Sequence, residues 1–153
     1  EALQREVIER AKPFLGICLG LQALYDFSEE GGGTPCLSLL AGSVKRFPAE
    51  KMTDTTTGLP LKVPHMGWNQ VRQISPHPLW NGIPQDSRFY FVHSYYADSA
   101  DAPDIAGETT YALRFTSAAA HANVFAVQFH PEKSGTTGLR ILRNFVDIVR
   151  EGR

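Results

Sequence analysis

Cys18 stands within Gly16-Ile17-Cys18-Leu19-Gly20, and His130-Pro131-Glu132 lies far downstream. These residue types suit a cysteine nucleophile, a base, and a carboxylate that orients the base. The apolar run Pro13 to Cys18 predicts a strand, and a helix from about Gly20 would leave it through a tight turn. So sharp a turn cramps the backbone of the nucleophile, and glycines two residues to either side relieve the crowding. It also lifts the sulfur above the sheet, near the positive end of the following helix, where thiolate is favoured over thiol. His130 and Glu132 are two apart on an extended stretch, with Pro131 restricting both neighbours. A lone cysteine at a strand end is ordinarily core, and a lone His-Pro-Glu is ordinarily a loop. Together they predict a Cys-His-Glu hydrolytic triad.

Positioning such a triad takes a sheet whose strands end side by side. Strand and helix patterns alternate along the chain, which predicts an α/β fold with a mostly parallel open sheet flanked by helices. Glu1 to Ala11 reads as an amphipathic helix with Leu3, Val7 and Ile8 on one side, and Gly20 to Phe27 as a second helix stopped at Gly31-Gly32-Gly33. Strands are expected at Gly42 to Phe47, Gly67 to Ile74 and Ser87 to Val92. Tyr111 to Thr116 and Val124 to Phe129 should pair across an alanine-rich turn containing Asn123, and Met52 to Gly58 should be a mobile polar loop. Gly138 to Val149 forms the last helix, with Leu139, Leu142, Val146 and Val149 as its apolar stripe and Arg140, Arg143 and Arg150 outside it. Gly31 to Gly33 lacks the lysine and serine of a phosphate loop. A helix that leads straight into the nucleophile strand is an unusual opening for such a domain, and further strands are expected ahead of it.

At 153 residues the chain makes one domain, 1–153, large enough for a core. Fifteen basic and 16 acidic residues leave a net charge of −1, which offers no electrostatic grip on nucleic acid or an anionic membrane. No apolar run reaches the length of a membrane span, and the first residues lack a signal-peptide layout. Two cysteines cannot build a disulfide framework, and a Cys18–Cys36 bond would remove the nucleophile. Cys36 reads as a small core or loop residue. A reduced cytoplasmic enzyme without metal or cofactor fits these features.

Leu15-Gly16-Ile17-Cys18-Leu19-Gly20-Leu21-Gln22 and Gln128-Phe129-His130-Pro131-Glu132 resemble the hallmark stretches of the triad (class I) glutamine amidotransferases. Pro64-His65-Met66-Gly67-Trp68-Asn69, Tyr90 to Tyr96 and Pro131 to Gly135 resemble, more narrowly, the glutaminase subunits of imidazole glycerol phosphate synthase. The resemblance runs from about Pro13 to Phe145, and Ser28 to Gly31 also fits. It implies that Cys18, His130 and Glu132 are catalytic, that the Leu19 backbone N–H serves the oxyanion, and that Gln22, Glu30, His93, Ser94 and Tyr95 bind glutamine. Met66, Trp68, Asn69 and Lys133 would meet a partner, a (β/α)₈-barrel cyclase that consumes the ammonia. His65 belongs to the same interface stretch, whereas Tyr90 and Tyr96 suit packing, and His77 and His121 read as surface residues with no role. Two departures stand out: the family's glycine-rich strand and loop ahead of the elbow, which supply a second oxyanion donor, have no counterpart here, and Thr34 to Gly42 replaces a more glycine-rich stretch. The rival readings are a glutaminase serving another ammonia-using synthase and a non-catalytic binding subunit. Less fitting is a secreted cysteine peptidase.

Overall fold

The computed structural model describes residues 2–48, 50, 52–100 and 102–152. Gln4–Glu9 winds as a π-helix, and β1 (Phe14–Ile17) leads through Cys18 into the short α1 (Leu19–Gln22). There follow β2 (Phe27–Ser28), β3 (Thr34–Pro35), β4 (Gly42–Arg46), β5 (His65–Gln70), β6 (Arg72–Gln73), β7 (Arg88–His93) and β8 (Tyr95–Ser99). The chain closes with β9 (Ile105–Tyr111), β10 (Leu113–His121), β11 (Val124–Val127) and α2 (Gly135–Glu151).

The main sheet runs β1-β11-β10-β8-β4-β2-β3, with β9 paired to β10 and β6 to β9, while β5 and β7 form a separate two-stranded sheet. The fold is α/β as expected, but the sheet is mixed rather than mostly parallel. Only β1–β11 and β2–β4 pair in parallel among the described residues; every other pairing is antiparallel. The physical reason lies in the connections. Most joins here are short turns, which reverse a strand; a parallel neighbour needs a long crossover.

The core lies on both faces of the sheet, and β10 and β11 divide it by strict alternation. Ala119, Val124 and Ala126 face Val7, Leu21, Leu24 and Tyr25 on one side. Ala118, Phe125 and Val127 face Phe89, Phe91, Phe129, Ile141 and Ile148 on the other. The expected alanine-rich turn is therefore strand: Ala118, Ala119 and Ala120 pair with Val127, Ala126 and Phe125, and only Ala122-Asn123 remains as the turn. Small side chains let both layers approach the sheet closely.

Two further expectations change, and a third stretch gains detail. The second helix is four residues long rather than running to Phe27, because Phe27-Ser28 leaves it to pair with both β3 and β4. On α2 the buried positions are Gly138, Ile141, Asn144 and Ile148, while Leu139, Val146 and Val149 are exposed. Asn144 holds its inward place by donating to the Leu79 and Asn81 carbonyls, both at 2.8 Å, and this rotates the helix off its purely apolar stripe. The threonine-rich stretch forms a hydrogen-bonded turn: Asp54 accepts from the Thr56 and Thr57 N–H groups, and Met52 is buried beneath it.

Candidate active site

Parallel register carries the two halves of the site to the same edge. Ile17 pairs with Val127, and the Cys18 N–H donates to the Val127 carbonyl at 2.8 Å. Cys18 thus leaves β1 alongside Gln128, two residues before His130. The elbow is strained as expected, with Cys18 at φ 52°, ψ −103°. The flanking glycines do unequal work. A Cβ on Gly16 would lie 2.7 Å from the Gly20 carbonyl oxygen, whereas one on Gly20 would meet nothing within 4 Å. Gly16 is the position that lets the turn close.

His130 Nδ1 lies 2.7 Å from Glu132 Oε1. A carboxylate only accepts, so Nδ1 carries the proton and the Nε2 lone pair is left for chemistry. The turn bearing this pair is tied down through its backbone. The His130 N–H donates to the Tyr90 carbonyl at 2.9 Å, and the buried Ser134 Oγ donates to the His130 carbonyl at 2.6 Å while accepting from the Tyr90 N–H at 2.9 Å. Sequence reasoning passed over Ser134, although it lies within the Pro131 to Gly135 stretch.

Burial pushes the Cys18 thiol above its ordinary pKa. The Leu19 N–H and the Gln128 amide pull it back down, and the charges of Glu132 and Glu30 push it further up. Against the thiolate preference expected at the elbow stands this desolvation, the largest influence on the Cys18 thiol.

The remaining expected site residues divide. Glu30 is exposed, close enough for its charge to act on Cys18. Gln22 is buried, its Nε2 donating to the Tyr95 carbonyl and to Gln128 Oε1, each at 3.0 Å. The Ser94 carbonyl accepts from the Phe47 N–H. His93 does not line an open pocket. Its Nδ1 bonds the Tyr95 carbonyl at 2.7 Å and its Nε2 bonds His65 Nδ1 at 2.9 Å, so both ring nitrogens are taken. Burial holds His65 at about 3 and His93 at about 4, both neutral. Met66 and Trp68 project outward from β5, 62% and 48% exposed, as an interface would require, and Lys133 is exposed. Asn69 is half-buried on the other face of β5: its Nδ2 donates to the Thr110 carbonyl at 2.9 Å and lies 3.3 Å from His65 Nε2. His77 is not an idle surface residue; its Nδ1 accepts from the Leu79 N–H and its ring packs on Phe125. Both cysteines are free.

The model of the family described as glutamine amidotransferase class-I matches residues 1–149. The chain belongs to that family. It is 58% identical over 145 residues to the imidazole glycerol phosphate synthase subunit HisH of Aromatoleum aromaticum, covering 93% of this chain and 68% of that protein. It is 59% identical over 145 residues to the HisH of Methylococcus capsulatus, covering 92% of this chain and 66% of that one. The chain therefore spans about two thirds of the length of these curated relatives. Among solved structures, a glutamine amidotransferase from Thermotoga maritima shares the fold at a TM-score of 0.57 and 21% identity, over 99% of this chain and 54% of that one. In this amidotransferase, then, the elbow and the His130-Glu132 turn sit at the ends of adjacent parallel strands.

Proposed function

We propose that this chain is the glutamine-hydrolysing part of an imidazole glycerol phosphate synthase, releasing ammonia for a (β/α)₈-barrel cyclase in histidine biosynthesis. The observation that carries the reading is a strained cysteine elbow that parallel register brings to the same sheet edge as a histidine already paired to a carboxylate. The identity to two HisH subunits supports the choice of synthase.

The chemistry follows from the groups. Cys18 Sγ attacks the glutamine side-chain amide carbon, His130 Nε2 takes the thiol proton and hands it to the departing ammonia, and a γ-glutamyl thioester forms. Water, activated by the same nitrogen, then cleaves the thioester to glutamate. Glu132 keeps the proton on Nδ1 and stabilises the imidazolium between steps. The Leu19 N–H, already directed at the sulfur, suits the oxyanion that grows beside it. Because Cys18 is held above the ordinary thiol range, proton transfer to His130 becomes part of attack rather than a preliminary to it.

Ammonia released into water is protonated and lost as a nucleophile, so a partner must sit against the site. Met66 and Trp68 supply the exposed apolar anchors for it, with Lys133 as an exposed cation on the turn after His130. A reduced, cytoplasmic setting fits a thiol nucleophile and two free cysteines. The test is glutamate release from glutamine, by the chain alone and with the cyclase plus its nucleotide ligand, with Cys18→Ala as control. Release that needs both partner and Cys18 is expected. Equal release by the Cys18→Ala chain would overturn the reading.

A further inference from the structure

Gln128 is fully buried, and its Nε2 lies 3.6 Å from Cys18 Sγ, within reach of a hydrogen bond to sulfur. Which end of its amide faces the sulfur is decided two links away. The Tyr95 carbonyl can only accept, so Gln22 must present its NH₂ group there, at 3.0 Å. The second proton of that NH₂ goes to Gln128 Oε1, also at 3.0 Å. With its oxygen so engaged, Gln128 has only N–H left to turn toward Cys18. Turning the Gln22 amide over would set its oxygen against the Tyr95 and Gln128 oxygens, and turning Gln128 over would set N–H against N–H, both in a buried site.

The same carbonyl polarises a second arm. It accepts from His93 Nδ1–H at 2.7 Å, which leaves His93 Nε2 to accept from His65 Nδ1–H at 2.9 Å, and His65 Nε2 faces the Asn69 amide at 3.3 Å. Every group on this arm is neutral and every proton has one place to go.

We propose that Gln128, locked by Gln22 and the Tyr95 carbonyl, is the side-chain hydrogen-bond donor that stabilises the Cys18 thiolate. The role rests on the reading of Cys18 as nucleophile. The charged groups that act on Cys18 oppose that stabilisation: Glu132 and Glu30 act on it as anions, and His130 turns its Nδ1 to Glu132 rather than to the sulfur. A donor to an anionic sulfur is stronger than the same donor to a thiol, so losing it costs the thiolate selectively.

The experiment is the pH profile of Cys18 alkylation by iodoacetamide on the intact chain, with Cys36→Ser as background so that one thiol reports. This readout needs neither glutamine nor partner, so it stands apart from the glutaminase test. Gln128→Met keeps the volume and removes the donor; its midpoint should move up by about one pH unit, roughly tenfold slower alkylation at neutral pH. Gln22→Met leaves Gln128 in place but unlocks its amide, and should move the midpoint the same way by a smaller amount. Folding is checked by circular dichroism. A folded Gln128→Met chain with an unchanged midpoint overturns the proposal. Should that variant fail to fold, an unchanged midpoint in Gln22→Met overturns it equally.

Discussion

Cys18 is pulled in opposite directions, and the balance gives predictions at the residue scale. Burial and two carboxylates hold the proton on, while the Leu19 N–H and Gln128 favour its loss. The thiol is raised overall, so alkylation of the free chain should still be climbing at pH values where an ordinary cysteine has levelled off. The sign also holds for stability. The folded chain keeps this proton to higher pH than the unfolded chain, so the stabilisation is whole below the ordinary thiol pKa and fades as pH rises through the folded one. A thermal-melt series from pH 7 to 10 in wild type and Cys18→Ala should show the wild-type loss shrink in the variant. At the neighbouring turn, Glu132→Gln removes the charge that supports the imidazolium and offers Nδ1 an amide that can donate as well as accept, so the proton is no longer held on Nδ1. Glutamine turnover in the complex should fall by about 10²–10⁴, with the fold intact. Turnover within twofold of wild type would remove Glu132 from the mechanism.

At the scale of elements, the two glycines of the elbow should behave differently. Gly16→Ala drives a Cβ to 2.7 Å from the Gly20 carbonyl and should destabilise the chain by about 1–3 kcal/mol. Gly20→Ala meets open space and should leave the melting temperature nearly unchanged. Parallel denaturant titrations of the two variants check the contrast. The pairing of β5 with β7 carries its own pH signature. His65 and His93 lie opposite each other in register, both buried and neutral, with values near 3 and 4 against an ordinary 6.5. Below about pH 6.5 the unfolded chain takes up protons that the folded chain refuses. Stability should therefore decline steadily from pH 6.5 toward 4, and His65→Gln should flatten that decline. An unaltered slope would mean that other groups govern acid unfolding.

For the whole molecule, the exposed Met66 and Trp68 mark one face of β5 while the opposite face of the strand holds the buried His65 and the half-buried Asn69. The proposed partner would read the first face without touching the second. Trp68→Ala should weaken binding of the cyclase by about 2 kcal/mol or more, roughly thirtyfold in Kd, and should leave the melting temperature of the free chain close to wild type. Isothermal titration gives the first number and calorimetry the second. Binding unaffected by the substitution would move the interface elsewhere.

The chemistry of this site was legible in the chain because it depends on residue type and local spacing. A glycine-flanked cysteine at a strand end and a His-Pro-Glu turn announce themselves within a few residues. Tertiary structure decided everything that depends on who lies opposite whom. Most strand pairings proved antiparallel, and the alanines beyond Ser117 became core strand rather than turn because both faces of β10 are covered. Asn144 displaced Leu139 and Val149 from the buried side of α2 because two carbonyls of a distant segment needed donors. Gln128 was visible in the sequence as a letter two before the histidine; its place at the sulfur came from the register of β1 on β11 and from a carbonyl at Tyr95. Type and spacing are one-dimensional and survive in the sequence. Register, burial and the direction of a hydrogen bond belong to the folded chain, because they depend on partners that the fold brings together: the two that orient Gln22 lie 73 and 106 residues from it.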